Sequence, residues 1–239
     1  MTFTNPLCTR IWMFLNKFRF DHKTAQEYEL RSHRSWIQRN FERVYFGRSA
    51  DTSSKWLREW FPDEDSFDYF QRQTAGKTCL EIGSGPSGNL IYFWWAARRI
   101  IIDPLVVEYR DISLKFYGKT WFDGIELIPI NAETLQTSLI GNVNGAIICR
   151  NTLDHCANPM QVLENIAAYT APGCYLLLWT DLHHIGGHDE GHRDITSNPA
   201  AFTRKLLDLG FEIEYITPQK LGRNTIHYGC RARKNWEKP

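Results

Sequence analysis

The stretch that decides the fold runs from Thr78 to Leu90 and reads Thr78-Cys79-Leu80-Glu81-Ile82-Gly83-Ser84-Gly85-Pro86-Ser87-Gly88-Asn89-Leu90. An apolar run typical of a buried strand leads into three glycines, and a helix is predicted over Gly88–Ala97. Glycine permits a tight turn and a close approach of the backbone to a ligand. The first turn of the following helix would offer free N–H groups to a polar or anionic group. The stretch therefore predicts a ligand-binding turn between a strand and a helix.

The chain around this stretch alternates short apolar runs with helical patterns. This alternation predicts βαβ units and a doubly wound, mostly parallel α/β sheet. Two late strands, Phe211–Ile216 and Asn224–Ala232, must be antiparallel because only a short turn around Pro218–Gly222 joins them. The other strand candidates are Thr78–Ile82, Arg99–Asp103, Glu126–Ile130, Gly145–Cys149 and Cys174–Thr180, and the further helix candidates are Val106–Tyr117, Pro159–Thr170 and Pro199–Leu209.

Residues 1–75 differ from the rest of the chain in being polar, rich in aromatic side chains and helical in spacing. They are predicted to form an N-terminal helical segment beside a ligand-binding domain over residues 76–239. Trp36, Trp56 and Trp60 are candidates either for lining a ligand pocket or for packing in a core. The apolar run Ile11–Leu15 is too short for a membrane span or a secretory signal.

Composition restricts the classes of function. The chain has 239 residues, of which 43% are hydrophobic and 23% are charged, and its formal net charge is +1. A charge this close to zero gives no electrostatic reason to expect a nucleic-acid partner. The six cysteines are scattered and include no C-x-x-C pair, which favours buried free thiols over a disulfide framework. We therefore expect a cytoplasmic protein without a transmembrane segment.

Two carboxylates beside the glycines narrow the choice of ligand. Glu81 precedes the first glycine by two positions, where it could pair with an ammonium group but would repel a pyrophosphate. Asp103 ends the next strand candidate, where a carboxylate can accept both ribose hydroxyls of an adenosine. The glycines also match the G-x-G-x-x-G fingerprint of dinucleotide-binding proteins. Because Asp103 fits NAD and an adenosyl sulfonium equally, a nicotinamide ligand stays an open alternative.

Taken together, these segments resemble the class I methyltransferases that depend on S-adenosylmethionine (SAM). The resemblance covers about Thr74 to Ala232: Leu80–Gly85 is similar to the family's first motif, and Ile130–Glu133 and Ile147–Pro159 are similar to the ends of its third and fourth strands. It implies SAM as the cofactor and a seven-stranded sheet with an antiparallel last strand, with the N-terminal helices as a lid. The residues that it assigns to the cofactor are Glu81, Gly83, Ser84, Gly85, Gly88, Asp103, Ala132, Glu133 and Asn151.

Some positions within the resemblance have a second interpretation. Asn151 would contact the methionine end of the cofactor or the acceptor, or it would cap the next turn. His155 is interpreted as a helix-start residue with a structural role, and a catalytic role is its alternative. Cys174 follows Gly173 where the family usually has a second glycine, and this departure leaves the assignment of the fifth strand intact.

A histidine-rich stretch, Asp181–Asp194, follows the fifth strand candidate and should lie at the ligand crevice. Histidine titrates near neutral pH and is the usual general base for a hydroxyl, so His192, His188 and His184 are the candidate catalytic residues. The same histidines could instead bind a metal or line a solvated loop. Their spacing lacks a helical H-x-x-x-H pair or a zinc-ribbon pattern, so no metal site is assigned.

The predicted function is methyl transfer from SAM to a small-molecule acceptor, as O-methylation of a sugar or another hydroxylated metabolite. The reaction would be an in-line displacement, for which the protein supplies positioning and a general base. Two alternatives stay open: an NAD(P)-dependent oxidoreductase, and a non-catalytic SAM-fold protein that binds a partner. The D/N-P-P-Y/F signature for methylation of a base amine is absent, since Ile148–Asn151 stands at that place.

Overall fold

The computed structural model of the protein describes residues 22–50, 57–184, 192–217 and 225–235. Seven strands form one sheet in the described part of the chain. The strands are β1 (Thr78–Ile82), β2 (Arg98–Ile102), β3 (Glu126–Ile128), β4 (Ala146–Arg150), β5 (Tyr175–His184), β6 (Phe211–Ile216) and β7 (Thr225–Lys234).

The order of the strands across the sheet is β3-β2-β1-β4-β5-β7-β6. The strands from β3 to β5 pair in parallel, whereas β7 lies between β5 and β6 and is antiparallel to both. This arrangement confirms the predicted doubly wound α/β fold with an antiparallel last strand. The strand order reverses between β1 and β4, and open α/β sheets bind ligands at the carboxyl ends of the strands beside such a reversal.

Five α-helices in these ranges cover the two faces of the sheet. Apolar side chains of the three helices that come first in the chain form a core cluster with one face, and those of the last two form a second cluster with the opposite face. Within the described ranges, no helix has the length and apolar character needed to cross a membrane. The helices are α1 (His22–Ala50), α2 (Glu64–Thr74), α3 (Val106–Tyr117), α4 (Pro159–Tyr169) and α5 (Pro199–Asp208).

The central strands are buried on both faces, and their side chains alternate between the two core clusters. In β1, Leu80 and Ile82 pack with α4 and α5, whereas Cys79 packs on the opposite face with α2 and α3. In β2, Ile100 and Ile101 divide in the same way. Strands covered on both faces need apolar residues at nearly every position, which is why the parallel strands were recognisable as continuous apolar runs.

The predicted helix over Gly88–Ala97 is wrong. The structure has only a short 3₁₀ turn at Leu90–Tyr92, after which the chain returns to β2. The aromatic rings that follow pack on α2: Phe93 lies 5.9 Å from Phe70 and 4.8 Å from Trp95 between ring centroids. Trp94, which lies between Phe93 and Trp95 in the chain, has an exposed side chain. Burial of Phe93 and Trp95 against α2 therefore outweighs the local helical pattern.

The tryptophans predicted for a lid or a core have different places. Trp60 is fully buried and donates a hydrogen bond from Nε1 to the Leu178 carbonyl at 2.9 Å, so it belongs to the core. Trp36 is half-buried on α1, and Trp56 lies outside the described residues. The α1 helix itself packs along α3, where Phe41 stacks on Tyr117 with ring centroids 4.0 Å apart.

Candidate functional site

The glycine loop after β1, Gly83–Gly88, has a backbone conformation that glycine favours. Gly83, Gly85 and Gly88 have φ angles of 70°, 54° and 66°, in the left-handed region. The side chain of Thr152 fills the space into which a Cβ of Gly83 would point. Above Gly85, by contrast, the atom nearest to such a Cβ is Cε1 of His33 at 4.0 Å, so space remains there.

The carboxylate of Glu81 holds this loop from inside the protein. Glu81 is fully buried, and its two oxygens accept hydrogen bonds from the backbone N–H of Asn89 at 2.8 Å, from the Asn89 side chain at 2.7 Å and from the Leu90 N–H at 3.0 Å. The N–H groups that were expected to face a ligand from a helix N-terminus therefore face Glu81. The predicted partner of Glu81 was a ligand ammonium group, whereas the structure surrounds this carboxylate with protein donors.

Burial raises the pKa of Glu81 to about 7, against the lowering effect of the hydrogen bonds from Leu90 and Asn89. The folded protein therefore holds this proton at pH values where the unfolded chain has lost it. The stabilising contribution is fully present below the ordinary pKa of 4.5 and is lost as the pH rises through about 7. We expect the free energy of unfolding, measured in urea, to decrease across this interval in the wild type and to decrease less in Glu81→Gln. If the free energy of unfolding of Glu81→Gln decreased with pH as steeply as that of the wild type, the pH dependence could not be assigned to Glu81.

Asp103 lies at the carboxyl end of β2, directly beside the glycine loop. It is nearly fully buried, and it accepts hydrogen bonds from the Gly85 N–H at 3.0 Å, the Leu105 N–H at 2.8 Å and the Ser84 hydroxyl at 3.4 Å. Burial raises the pKa of Asp103 to about 6, although these donors favour its ionised form. The structure thus brings together three of the predicted cofactor residues: Ser84, Gly85 and Asp103.

The residues after β3 have partners on two sides. The side-chain oxygen of Asn131 accepts a hydrogen bond from Gln26 of α1 at 3.0 Å. The backbone carbonyl of Ala132, a buried residue, accepts one from Asn165 at 2.9 Å. Glu133 accepts hydrogen bonds from two backbone N–H groups just before α4, at 2.7 and 3.2 Å. Glu133 therefore supports the start of α4, and the predicted contact of Ala132 and Glu133 with the cofactor stays a prediction.

Asn151, just after β4, has an unusual backbone conformation. Its φ is 50°, and among the described residues it is the non-glycine residue with a positive φ. Its N–H donates to the Trp179 carbonyl at 2.7 Å, and its side chain is exposed. Asparagine tolerates the left-handed region better than most residues, but such conformations cluster at functional sites. This geometry supports the choice of Asn151 as a site residue without testing its contact.

A cluster of histidines and carboxylates lies at the carboxyl ends of β4 and β5. Asp154 is fully buried at its base, and one of its oxygens, Oδ2, lies 3.8 Å from His155 Nε2 and 3.9 Å from His192 Nε2. The imidazole of His192 lies between those of His155 and His184, with ring centroids 4.3 and 5.3 Å away. Of the three predicted catalytic histidines, His184 and His192 therefore come together, and His188 lies outside the described residues.

Several residues of this site were not found by sequence reasoning. Gln26, Glu29 and His33 are spaced along one face of α1, and this polar face meets the strand ends. Besides the contact of Gln26 described above, Glu29 pairs with His155 at 3.3 Å, and His33 lies 2.8 Å from the Tyr109 hydroxyl. The i, i+3, i+7 spacing was a readable signal of a shared face. Nothing in the sequence marked Asp154 as the buried partner of distant histidines.

A second histidine–carboxylate pair was also not predicted from the sequence. His227 of β7 is bonded through Nδ1 to Asp181 of β5, and its ring stacks on Trp179 with centroids 5.2 Å apart. The antiparallel register of β5 and β7 places Asp181 opposite His227. Such a pairing depends on strand register, which only the folded sheet defines.

Comparisons with known proteins find solved structures that are similar to this chain. No protein-family model matches the sequence, and no curated protein matches it. The [4+2]-cyclase SpnF is similar with a TM-score of 0.56 and 14% identity, over 90% of this chain and 96% of that chain. An S-adenosylmethionine-dependent methyltransferase from Mesorhizobium loti has a TM-score of 0.51 and 12% identity, over 70% and 97%. The trans-methyltransferase CalH, in complex with S-adenosylhomocysteine (SAH), has a TM-score of 0.51 and 16% identity, over 70% and 54%.

At these identities, the likeness concerns the fold. Two of these three proteins are named as methyltransferases and one as a cyclase, so the same architecture occurs with more than one named reaction. The function of this chain must therefore be argued from the chemistry of its own site.

Proposed function

Starting from the class I SAM-dependent methyltransferase fold that this chain has, we propose that it binds SAM and transfers the methyl group to a small molecule. One observation carries the proposal: the Asp103 carboxylate accepts a hydrogen bond from the Gly85 N–H at 3.0 Å, directly beside the open space above Gly85. A carboxylate held there can accept ribose hydroxyls from an adenosine. The N–H groups of Asn89 and Leu90, which would receive a diphosphate at such a loop, instead donate to the Glu81 carboxylate.

The other predicted cofactor residues fit this interpretation in different ways. Ser84 and Gly85 form the wall of the space beside Asp103, and Gly83 and Gly88 give the loop its shape. Glu81 acts on the cofactor through the loop that it holds. Asn131 and Ala132 would border the adenine, and Asn151 would lie towards the methionine end. SAM supplies a methyl group that is activated by the positive charge of its sulfonium.

We place the acceptor at the carboxyl ends of β4 and β5, beside His184 and His192. A hydroxylated metabolite or sugar fits because its oxygen must lose a proton as it bonds to the methyl carbon. The C–S bond breaks with its electron pair going to sulfur, and the proton goes to Nε2 of His192. Asp154, with Oδ2 3.9 Å from that nitrogen, stabilises the resulting imidazolium. His184 would contact the acceptor; the catalytic role predicted for His188 falls outside the described residues.

The N-terminal segment, residues 1–75, is proposed to act as a lid. In its described part, α1 contacts Asn131 after β3 through Gln26 and Tyr109 of α3 through His33, so it spans the crevice above Gly85. A helix that bonds to both sides of a crevice can exclude water when the ligand is bound. Entry of the cofactor would require these hydrogen bonds to open.

The remaining parts of the proposal concern partners and compartment. The net charge of +1 supports a small-molecule acceptor over a nucleic acid. A reducing, cytoplasmic environment is supported by the described cysteines, all of which are buried free thiols: Cys79, Cys149, Cys156, Cys174 and Cys230.

Isothermal titration calorimetry with SAH and with NAD tests the choice of cofactor. We expect SAH to bind with one-to-one stoichiometry and NAD to give no heat of binding, because the Asn89 and Leu90 N–H groups that would receive a diphosphate already donate to Glu81. Binding of NAD without SAH would overturn the proposal in favour of an oxidoreductase.

Transfer of a labelled methyl group to a panel of hydroxylated small molecules tests the reaction. We expect label in at least one acceptor and, from general-base removal, a loss of about 100-fold in His192→Gln. The binding of SAH to this variant should stay at the wild-type level, which separates chemistry from cofactor affinity. A chain that binds SAH but methylates no acceptor of any class would instead be a non-catalytic SAM-fold protein.

A further inference from the structure

Three side chains from separate segments converge beside the crevice. Asp154 follows β4, His184 ends β5 and His192 lies before α5. One ligand atom from each, a carboxylate oxygen or a ring nitrogen, lies within 4.8 Å of the other two. We propose that Asp154, His184 and His192 bind a divalent first-row transition metal ion. This site is independent of the adenosine site at Asp103.

Asp154 is the anchor of the proposed site. It is fully buried, and its Oδ1 accepts a hydrogen bond from the Thr180 hydroxyl at 3.3 Å. Its Oδ2 is buried without a hydrogen-bond donor, while imidazole nitrogens of His155 and His192 lie 3.8 and 3.9 Å away. A buried carboxylate oxygen without a donor is costly unless a cation faces it. One oxygen is thus held in place by the protein, and the other points at nitrogen ligands.

His184 lies beside a second carboxylate, the kind of group that commonly orients metal-binding histidines. Its Nδ1 lies 3.8 Å from Oδ1 of Asp194, and the same oxygen accepts the His184 backbone N–H at 2.9 Å. On the other side of the ring, Nε2 lies 3.5 Å from Oδ2 of Asp181, which would border the bound ion. His192 is held near the site because its neighbour Arg193 donates a hydrogen bond to the Ala157 carbonyl.

The donor set indicates the class of metal. Two imidazoles and one carboxylate suit Zn²⁺, Fe²⁺ or Co²⁺, whereas Mg²⁺ and Ca²⁺ prefer oxygen ligands alone. Ligands at about 2.1 Å from an ion lie roughly 3–4 Å from one another. The distance of 3.9 Å between Asp154 Oδ2 and His192 Nε2 is already in that range. Three protein ligands leave coordination positions open, and, if the proposed function holds, an acceptor oxygen could occupy one of them. In the metal-bound chain Nε2 of His192 would be a ligand, so the ion, in place of this imidazole, would favour loss of the acceptor's proton to solvent.

Titration of the chelator-treated full chain with Zn²⁺, followed by calorimetry, tests the site. We expect one ion per chain, and the visible absorption of bound Co²⁺ to show nitrogen and oxygen ligation. His192→Gln and, separately, His184→Gln are each expected to lower the affinity by about 10-fold or more. His33→Gln is the matched control: it removes a histidine of α1 that is not among the three proposed ligands and lies 2.8 Å from the Tyr109 hydroxyl, and it should leave the affinity for Zn²⁺ within about 2-fold.

Far-ultraviolet circular dichroism establishes that each variant is folded before its affinity is compared. Because His192→Gln and His184→Gln are made separately, one folded variant is enough to test the site. Absence of stoichiometric binding in the wild type, or equal binding in the wild type and both ligand variants, would overturn the site. An equal loss in His33→Gln would also overturn it, because binding would then depend on histidine number alone. Calorimetry with SAH on the same samples keeps the two proposals apart: SAH binding without Zn²⁺ binding removes the metal site only, and the reverse removes the methyltransferase only.

Discussion

Asp103→Asn is expected to weaken the binding of SAH by about 100-fold or more, as measured by calorimetry. The carboxylate would accept both ribose hydroxyls, and each hydrogen bond to a charged group contributes about 1.5–3 kcal/mol. A loss of about 3 kcal/mol corresponds to about 100-fold in affinity. The amide of asparagine would also place an N–H₂ group against the Gly85 N–H or the Leu105 N–H, which now donate to the carboxylate at 3.0 and 2.8 Å.

The matched control for this substitution is Asp111→Asn. Asp111 is an exposed aspartate of α3 that pairs with the adjacent Arg110 at 2.9 Å, so its replacement should leave the affinity for SAH unchanged. If Asp103→Asn retained the wild-type affinity while remaining folded, the adenosine site would have to lie elsewhere.

The same carboxylate predicts a dependence of SAH affinity on pH. Burial raises the pKa of Asp103 to about 6, and the ionised form is the one that accepts two hydroxyl protons. The affinity of the wild type should therefore be constant well above pH 6 and fall as the pH decreases through that value, by up to about 10-fold per pH unit. Asp103→Asn should lack this decrease. Because Glu81 titrates in both proteins, the difference between the two curves isolates Asp103.

Gly83→Ala is expected to lower the free energy of unfolding by about 2–5 kcal/mol, measured by denaturation in urea. A non-glycine residue in the left-handed region costs about 1–2 kcal/mol, and overpacking of a filled site costs about 1–3 kcal/mol more. The added Cβ would overlap Thr152, whose hydroxyl is bonded to the Ile82 carbonyl at 3.2 Å and to the Gly83 carbonyl at 3.3 Å. Thr152 is thus tied in place and cannot easily move aside.

Gly76→Ala separates the two contributions. Gly76 has a φ of 69°, almost the same as Gly83, but its Cβ would meet no atom within 4 Å. Its replacement should therefore cost only the conformational part, about 1–2 kcal/mol. Adding Thr152→Ala to Gly83→Ala should recover part of the lost stability relative to the sum of the single changes. Equal effects of Gly83→Ala and Gly76→Ala would show that Thr152 does not occupy the space above Gly83.

The strands of the sheet were predictable because their signals are local. A strand buried on both faces must be apolar at successive positions, so β1, β2 and β4 appear in the sequence without knowledge of their neighbours. The short link between the last two strands likewise fixed their antiparallel direction. The prediction of a helix after the glycine loop was wrong for a non-local reason. Phe93 and Trp95 pack against α2, a helix that precedes β1 in the chain.

The candidate site was predictable only in part. Asp103 was found because the end of a parallel strand beside a glycine loop is a known position for a ribose acceptor, and the structure does place it against Gly85. The partners of Glu81 could not be predicted, since they depend on how the loop folds back over β1. The proximity of Asp154 and His192 could not be predicted either, because the order of the strands in the sheet brings these two distant residues together.

By itself, the sequence determined the α/β architecture, the glycine turn and the acid at the end of β2. These features depend on backbone freedom and on periodic burial, which are properties of neighbouring residues. The tertiary structure alone decided that Glu81 faces the loop, that α1 spans the crevice and that Asp154 lies among imidazoles from β5 and from the segment before α5. Such contacts require two segments that are distant in sequence to lie side by side in the folded protein. A local pattern of residues carries no information about which distant segments become neighbours.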